Sequence, residues 1–133
     1  MATNTAGTAA RQLPIQAVHF LRKGITFADR GVNLTVGIIP AGSLILAPIS
    51  GVHVLTAFNG GGTDLVDIGT AGTPEQFGAN LDVSSTGVKV VAVSANMRVS
   101  VDTTIIASYA DANGDASTGD AEIVIAYVPD IDG

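Results

Sequence analysis

The chain has 133 residues, a length typical of one domain, and a formal net charge of −6 at pH 7. Its six basic residues are scattered along the sequence, whereas nucleic-acid binding needs clustered Lys and Arg to neutralise phosphates. No apolar run approaches the roughly 18 residues that a membrane span requires. With no cysteine, the chain forms neither a disulfide nor a thiolate metal site. We therefore expect no nucleic-acid partner and no membrane partner.

Charged residues are unusually few. Hydrophobic residues make up 47% of the chain and charged residues only 14%, against about 25% charged residues in a typical domain. Two interpretations follow. Either part of the surface is buried against other proteins, or the chain is a secreted or viral β-protein whose surface is built from Ser, Thr, Asn and Gly.

The first residues of the chain, 1–10, are small and polar. They lack the basic segment followed by an apolar segment that marks a signal peptide. We expect residues 1–12 to be a flexible N-terminal arm. Residues 13–133 contain no linker and no repeat of fixed period, which predicts a single β-sandwich domain.

Four segments alternate apolar and polar residues with the period of two that is typical of strands. Their apolar positions are Val32, Leu34, Val36 and Ile38; Val52, Val54, Thr56 and Phe58; Met97, Val99, Val101 and Ile105; and Ile123, Ile125 and Tyr127. Weaker candidates span 15–21, 24–28, 43–49, 65–68 and 88–93. Glycine- and proline-containing turn signals separate these segments, so eight or nine short strands predict a sandwich or barrel. We expect the last two alternating sets to point into the core.

The region between the second and third sets contains two departures from this strand pattern. Residues 59–64, with three consecutive glycines, would suit a phosphate only if they opened onto a helix N-terminus. The residues that follow alternate as a strand, so this run is predicted to be a mobile hairpin tip. Residues 69–81 are predicted to be a long loop with one short helix over 73–79, where Pro74 and Glu75 suit a first turn.

The segment 111–122 has the oxygen-ligand spacing of an EF-hand calcium loop. The sixth position, which is almost always Gly, is Ala116, and the eighth, which is normally apolar, is Thr118. Its flanks are predicted strands instead of helices. We therefore expect no metal here, and a polar hairpin loop that turns at Asn113-Gly114. The oxygen-bearing residues at the ligand positions are Asp111, Asn113, Asp115, Ser117 and Glu122.

Catalytic chemistry finds little support in the sequence. A zinc site built on His19 or His53 would need carboxylates close to the histidine in space. Neither histidine has a carboxylate within four residues in the sequence. His53 is out of phase with the apolar residues around it and is predicted to face the other side of its sheet. No serine lies on a strand–turn–helix elbow. We expect no catalytic residue, no cofactor and no metal ligand. Two pairs of carboxylates lie close together in the sequence, Asp64 with Asp67 and Asp130 with Asp132. Neither pair has an aromatic or apolar pocket residue beside it that would raise the pKa of a carboxyl group.

The strand and turn patterns resemble those of small structural proteins of tailed bacteriophages. Residues 36–43 contain a Pro-x-Gly turn, residues 52–59 form a strand ending in Ala-Phe, and residues 64–69 form a strand ending in Ile-Gly. The acidic turn followed by residues 121–129 fits the same group. The resemblance covers about residues 24–129. It implies a jelly-roll-like antiparallel β-sandwich of about eight or nine short strands.

The resemblance also implies a function. Such proteins bind the outer surface of a phage capsid as decoration, or cement, proteins that stabilise the head, and they are not enzymes. The implied partners are the major capsid protein and further copies of the chain, as a homodimer or homotrimer. The implied location is the capsid exterior of a virion, after synthesis in the host bacterial cytoplasm.

Two alternatives stay open. One is a head-fibre or tail component, since the same sandwich recurs there. The other is a lectin-like or calcium-binding β-sandwich module. Sugar sites usually need aromatic platforms, and the chain has no Trp, two Tyr and four Phe.

Overall fold

The computed structural model describes residues 17–91 and 97–129. They form nine β-strands and two 3₁₀ turns of three residues each, Phe27–Asp29 and Ala47–Ile49. The strands hold about half of the described residues, as the alternating pattern predicted. The strands are β1 His19–Thr26, β2 Asn33–Ile39, β3 Leu44–Ile45, β4 Gly51–Thr56, β5 Asp64–Gly69, β6 Gly78–Asp82, β7 Gly87–Val90, β8 Thr103–Asp111 and β9 Asp120–Val128.

The strands form two antiparallel sheets packed as a sandwich. The β1 sheet has the order β1-β9-β4-β7, with the short β3 paired to the far end of β9, and the β2 sheet has the order β2-β8-β5-β6. The pairing is nested, because β1 pairs with β9, β2 with β8, β4 with β7 and β5 with β6. This nested arrangement of eight strands in two sheets is a jelly roll. The predicted all-β, jelly-roll-like sandwich is confirmed.

The core lies between the sheets and contains branched aliphatic side chains with two packed aromatic rings. Ile123 and Ile125 are fully buried, as predicted, and Val99 is 5% exposed. The rings of Phe58 and Tyr109 meet edge to face with their centroids 4.7 Å apart. Of the other residues predicted on this face, Ile105 is fully buried, and Met97 and Tyr127 are half-buried and pack against the core.

The first alternating set, residues 32–38, is interrupted by a β-bulge. The register between β2 and β8 shifts between Thr35 and Gly37. A bulge inserts one residue and exchanges the two faces beyond it. Val36 is therefore buried, whereas Ile38 is 60% exposed and Ile39 is fully buried. The prediction that Ile38 shares the inward face of Val36 is wrong.

The predicted continuous strand over 97–105 is also wrong, because the chain changes sheets within it. Val99 exchanges backbone hydrogen bonds with Gly42 and Ser43 next to the β1 sheet, whereas β8 begins at Thr103 in the β2 sheet. The residues between are not in a strand. Val101, predicted to point inward, lies at this crossing and is 65% exposed.

The predicted short helix over 73–79 is absent from the described chain. A turn at Pro74 and Glu75 replaces it, and β6 begins at Gly78. The reason is the burial of Phe77, whose backbone N–H donates to the carbonyl of Ile68 and whose side chain is 1% exposed. The segment therefore completes an edge strand beside β5.

The weaker strand candidates are partly confirmed. Residues 24–26 and 19–21 belong to one continuous strand, β1, while residues 43–49 contain only β3 before a 3₁₀ turn at Pro48. The candidates over 65–68 and 88–93 correspond to β5 and to β7, which ends at Val90. The predicted arm over 1–12, the start of the first candidate and Asp130 with Asp132 lie outside the described residues.

Candidate interaction surface

The outward face of the β2 sheet is polar. Residues directly opposite each other in antiparallel strands share a face, which places Asn33, Ser108 and Asp67 in one row across β2, β8 and β5. Asp82 of β6 lies opposite Leu65 on the same face. Among the described strands of this sheet, Ile38 is the one large apolar side chain that is exposed. This face resembles an ordinary solvent-facing surface with an acidic bias.

The outward face of the β1 sheet is apolar by contrast. One row across β9, β4 and β7 contains Glu122, His53 and Val88, and the next contains Val124, Gly51 and Val90, with Arg22 of β1 at its end. We call this side of the β1 sheet the outer apolar face. Its exposed large apolar side chains, which are half of the ten on the described chain, are Phe20 (54%), Leu44 (47%), Leu55 (56%), Val88 (62%) and Val90 (43%).

Strand β4 contributes to this face through an irregularity in its register. The pairing of β4 with β9 shifts between Val54 and Thr56. Val52 and Val54 point into the core, while Leu55 and Thr56 are both exposed. Thr56 was predicted to share the inward face of Val54, and the shift makes that prediction wrong. The same shift brings an additional leucine to the solvent side.

The outer apolar face contains one ion pair. The Arg22 guanidinium donates to the Glu122 carboxylate through Nε to Oε1 at 2.6 Å and through Nη2 to Oε2 at 3.0 Å. The hydrogen bond with Glu122 raises the pKa of Arg22. The hydrogen bond from Arg22 lowers the pKa of Glu122 more than burial raises it. Both groups stay charged near neutral pH, and the pair contributes no net charge to the face.

The two histidines lie on different strands of the β1 sheet. His53 is exposed on the outer apolar face, opposite Val88 and Glu122, so the prediction that it faces away from Val52 and Val54 is confirmed. His19 begins β1 and stacks on Tyr127 with ring centroids 5.6 Å apart. Neither lies in a group of three metal-ligating side chains within residues 17–91 and 97–129.

The acidic loop connects the two sheets, since β8 and β9 belong to different sheets. The sequence had predicted a hairpin loop here, and that prediction is therefore wrong. Burial raises the pKa of Asp111, but hydrogen bonds donated by the backbone of Ala116 and Asn113 and by Arg30 lower it further, so its net pKa is below the usual range. Glu122 is in β9 and pairs with Arg22. The last EF-hand ligand position is therefore engaged by β1, and Asp111 and Asp115 accept hydrogen bonds from the backbone N–H groups of Ala116 and Gly61.

The glycine-rich run is likewise a connection between sheets instead of a hairpin tip. It links β4 to β5 and lies against the acidic loop. The Asn59 side-chain oxygen accepts from the backbone N–H groups of Ser117 and Thr118, and the Gly61 N–H donates to Asp115 at 2.7 Å. A side chain at Gly60 would collide with Asp64 and Asp111. The glycines allow two crossovers to pack closely at one end of the sandwich.

A buried polar pair lies beneath these loops. Asp64 is 1% exposed, and its Oδ1 accepts a 2.6 Å hydrogen bond from the hydroxyl of Tyr109. Burial, together with this bond, raises the pKa of Tyr109. Among the described residues, Asp64 Oδ2 has no hydrogen-bond partner. The prediction that Asp64 and Asp67 have no aromatic or apolar residue beside them is wrong for Asp64, because Tyr109, which covers it, is distant in sequence.

Two solved phage capsid structures contain chains with the same fold as this one. A chain of the cyanophage Pam1 capsid asymmetric unit superposes with a TM-score of 0.65 at 15% identity, over 93% of this chain and 94% of that chain. A chain of the acidic stable capsid structure of Helicobacter pylori bacteriophage KHP30 gives a TM-score of 0.62 at 15% identity, over 84% and 88%. No family model and no curated protein sequence matches. These likenesses show a shared fold.

The described chain contains no helix that is long and apolar enough to cross a membrane. Its most distinctive surface is the outer apolar face, which the sequence analysis did not identify as a unit. Part of the signal was present, because β4 has the apolar Leu55 in the outward phase as well as Val52 and Val54 in the inward phase. In β7, Val88 and Val90 are outward, whereas Lys89 is in the inward phase opposite Val52. Strands that are apolar in both phases are typical of sheets covered on both sides.

Proposed function

We propose that the chain is a non-enzymatic structural protein of a phage virion that binds the outer surface of the capsid as a decoration, or cement, protein. The observation that carries the proposal is the near-complete superposition on chains of two phage capsid structures. Jelly rolls also occur in lectins and other proteins. The proposal therefore rests on the low charge content and the outer apolar face as well as on the fold.

The size of the matched chains supports a small capsid component. The superposition covers 94% and 88% of those chains, so each is close in length to this one and is built around one comparable sandwich. A single sandwich of this kind suits a protein that attaches to a shell formed by other subunits. The low charge content and the outer apolar face suit attachment through repeated contacts on a lattice, where many weak contacts add to a strong one.

The test is co-sedimentation of the purified protein with empty capsids assembled from the major capsid protein. We expect saturable binding at a fixed ratio to the capsid subunits, and a higher melting temperature of the decorated capsid. A protein that stays in the supernatant at all concentrations, and leaves capsid melting unchanged, would refute the proposal.

The N-terminal segment is part of the same proposal. We expect deletion of residues 2–12 to leave the circular dichroism spectrum and melting temperature of the free protein unchanged while weakening capsid binding. The matched control replaces the same residues with a Gly-Ser segment of equal length. Equal binding by all three proteins would remove this segment from the attachment.

A further inference from the structure

The sequence contains two Asn-Gly pairs, and the structure places them in the two connections that pack together at one end of the sandwich. The pairs are Asn59-Gly60 and Asn113-Gly114. We infer that Asn113 is a site of spontaneous deamidation in the folded protein, and that Asn59 is protected from the same reaction. This inference concerns the covalent structure of the chain itself and does not depend on the proposed function.

The reaction needs only the chain and water. The backbone nitrogen of the next residue attacks the asparagine Cγ, a C–N bond forms, and the side-chain nitrogen leaves as ammonia with the proton lost by the backbone nitrogen. Water then opens the cyclic imide at either carbonyl, which gives aspartate or isoaspartate. A following glycine favours ring closure because it has no Cβ to shield its nitrogen. The other asparagines among the described residues, Asn33 and Asn80, each precede a leucine.

The side chain of Asn113 is positioned to form this ring. Asn113 and Gly114 are both exposed, and no hydrogen bond joins the Asn113 side-chain amide to another described residue. The amide lies against Gly61 and Gly62, which have no side chains to hold it. The Gly114 N–H donates to the carbonyl oxygen of Asp111 at 3.2 Å, which is the long limit for such a bond. This single bond has to break before the nitrogen attacks.

Asn59 precedes a glycine too, but its side chain is held by three hydrogen bonds. Its Oδ1 accepts from the backbone N–H groups of Ser117 at 2.7 Å and Thr118 at 3.0 Å. Its Nδ2 donates to Ser117 Oγ at 3.0 Å. All three partners belong to the acidic loop, so Cγ reaches the Gly60 nitrogen only after the side chain leaves that loop. Carboxylate oxygens also fill the space beside the Gly60 Cα, which restricts its movement.

Deamidation of Asn113 changes the acidic loop in two ways. Either product adds one negative charge to a chain whose net charge is already −6. Isoaspartate also lengthens the backbone by one carbon, at the point where the Asn113 N–H donates to Asp111 Oδ1 at 3.1 Å. An aspartate at this position keeps that hydrogen bond and isoaspartate disrupts it. We therefore expect the aged protein to melt at a lower temperature than the Asn113→Asp variant.

The experiment is a time course of the full chain at mildly alkaline pH, once folded and once in urea. Peptide mass spectrometry locates each new acid, and labelling by an isoaspartyl methyltransferase detects isoaspartate, which direct hydrolysis of the amide does not produce. In the folded protein we expect Asn113 to react at least about tenfold faster than Asn59, because three hydrogen bonds hold Asn59. In urea we expect similar rates, because both residues precede glycine.

Two variants test the cause of the difference. Asn113→Gln should abolish the reaction at this position, because glutamine would have to close a larger ring. Ser117→Ala removes the acceptor of one hydrogen bond from Asn59 and should accelerate the reaction of Asn59 severalfold while that of Asn113 is unchanged. Circular dichroism checks that each variant keeps its fold.

Three results would overturn the inference. The first is a ratio of the two rates that is no larger in the folded protein than in urea. The second is an intact Asn113 in the folded protein after the unfolded chain has reacted completely. The third is conversion of Asn113 without any isoaspartate, which would exclude the cyclic imide.

Discussion

Replacing Tyr109 with Phe removes one hydroxyl group from a buried pair and leaves the ring in place. The ring of Tyr109 still packs against Phe58, so the burial of apolar surface is unchanged. What is lost is the 2.6 Å hydrogen bond to Asp64. A hydrogen bond to a charged group contributes about 1.5–3 kcal/mol, and leaving its buried partner unsatisfied adds to the cost. Since the other oxygen of Asp64 already has no partner, we expect Tyr109→Phe to lower the free energy of unfolding by about 2–4 kcal/mol.

The assay is urea unfolding at pH 7, followed by circular dichroism, for the unchanged protein and two variants. Tyr127→Phe is the matched control, because Tyr127 is half-buried and makes a ring contact with His19. We expect its effect to stay below about 0.5 kcal/mol, as for a substitution that removes no buried hydrogen bond. An equal effect of the two substitutions, or an effect of Tyr109→Phe below that limit, would refute the reasoning.

The pH dependence gives a second, independent measurement. Burial and the bond to Asp64 raise the pKa of Tyr109 in the folded protein above the value of about 10 in the unfolded chain. A raised pKa contributes stability that is fully present below the unfolded value and is lost as pH rises towards the folded one. The difference in stability between the unchanged protein and Tyr109→Phe should therefore be constant up to about pH 9 and decrease above pH 10. A difference that grows with alkaline pH would contradict the assignment.

Three further substitutions test separate parts of the fold. Gly119→Ala should destabilise the protein by several kcal/mol in urea unfolding, because Gly119 has φ 152° and an added Cβ would lie 2.5 Å from the Phe58 ring; Gly24→Ala, which meets open space, should not. Ile39→Ala should lower the free energy of unfolding by about 2–5 kcal/mol, and Ile38→Ala should lower it by under about 0.5 kcal/mol. Similar values for the two would contradict the β-bulge, which buries Ile39 and exposes Ile38. In Arg22→Gln, the pKa of Glu122, followed by carbon-13 NMR, should rise towards its ordinary range because the hydrogen bond that lowers it is gone; an unchanged titration would show that the pair does not form in solution.

The sequence predicted the fold class because its alternation is local, and local patterns decide which segments become strands. It predicted the inward faces of β9 and β4 well, since both strands begin in regular register. It failed at residues 36–38, 54–56 and 97–103, where two register shifts and a change of sheet interrupt the alternation. None of these events has a marker in the residues themselves, because all depend on which strand lies alongside.

The candidate surface was less accessible to sequence reasoning. Phe20, Leu55 and Val88 lie far apart in the chain, and only the nested pairing places them on one face. The burial of Asp64 had the same cause, since its partner Tyr109 is 45 residues away. The low charge content did indicate that part of the surface is covered, although it did not indicate where.

The nested pairing also has a consequence for how the chain folds. Strand β1 pairs with β9 along its whole length, from His19 with Tyr127 to Thr26 with Asp120, and residues in contact there are about 100 positions apart. Contacts this distant form slowly, because the entropy of closing the intervening chain must be overcome first. Strand β9 also lies between β1 and β4, so neither acquires its central neighbour until residues 120–128 have been synthesised. Until then, the edges of β1 and β4 that face β9 have no partner strand, although β4 can already pair with β7.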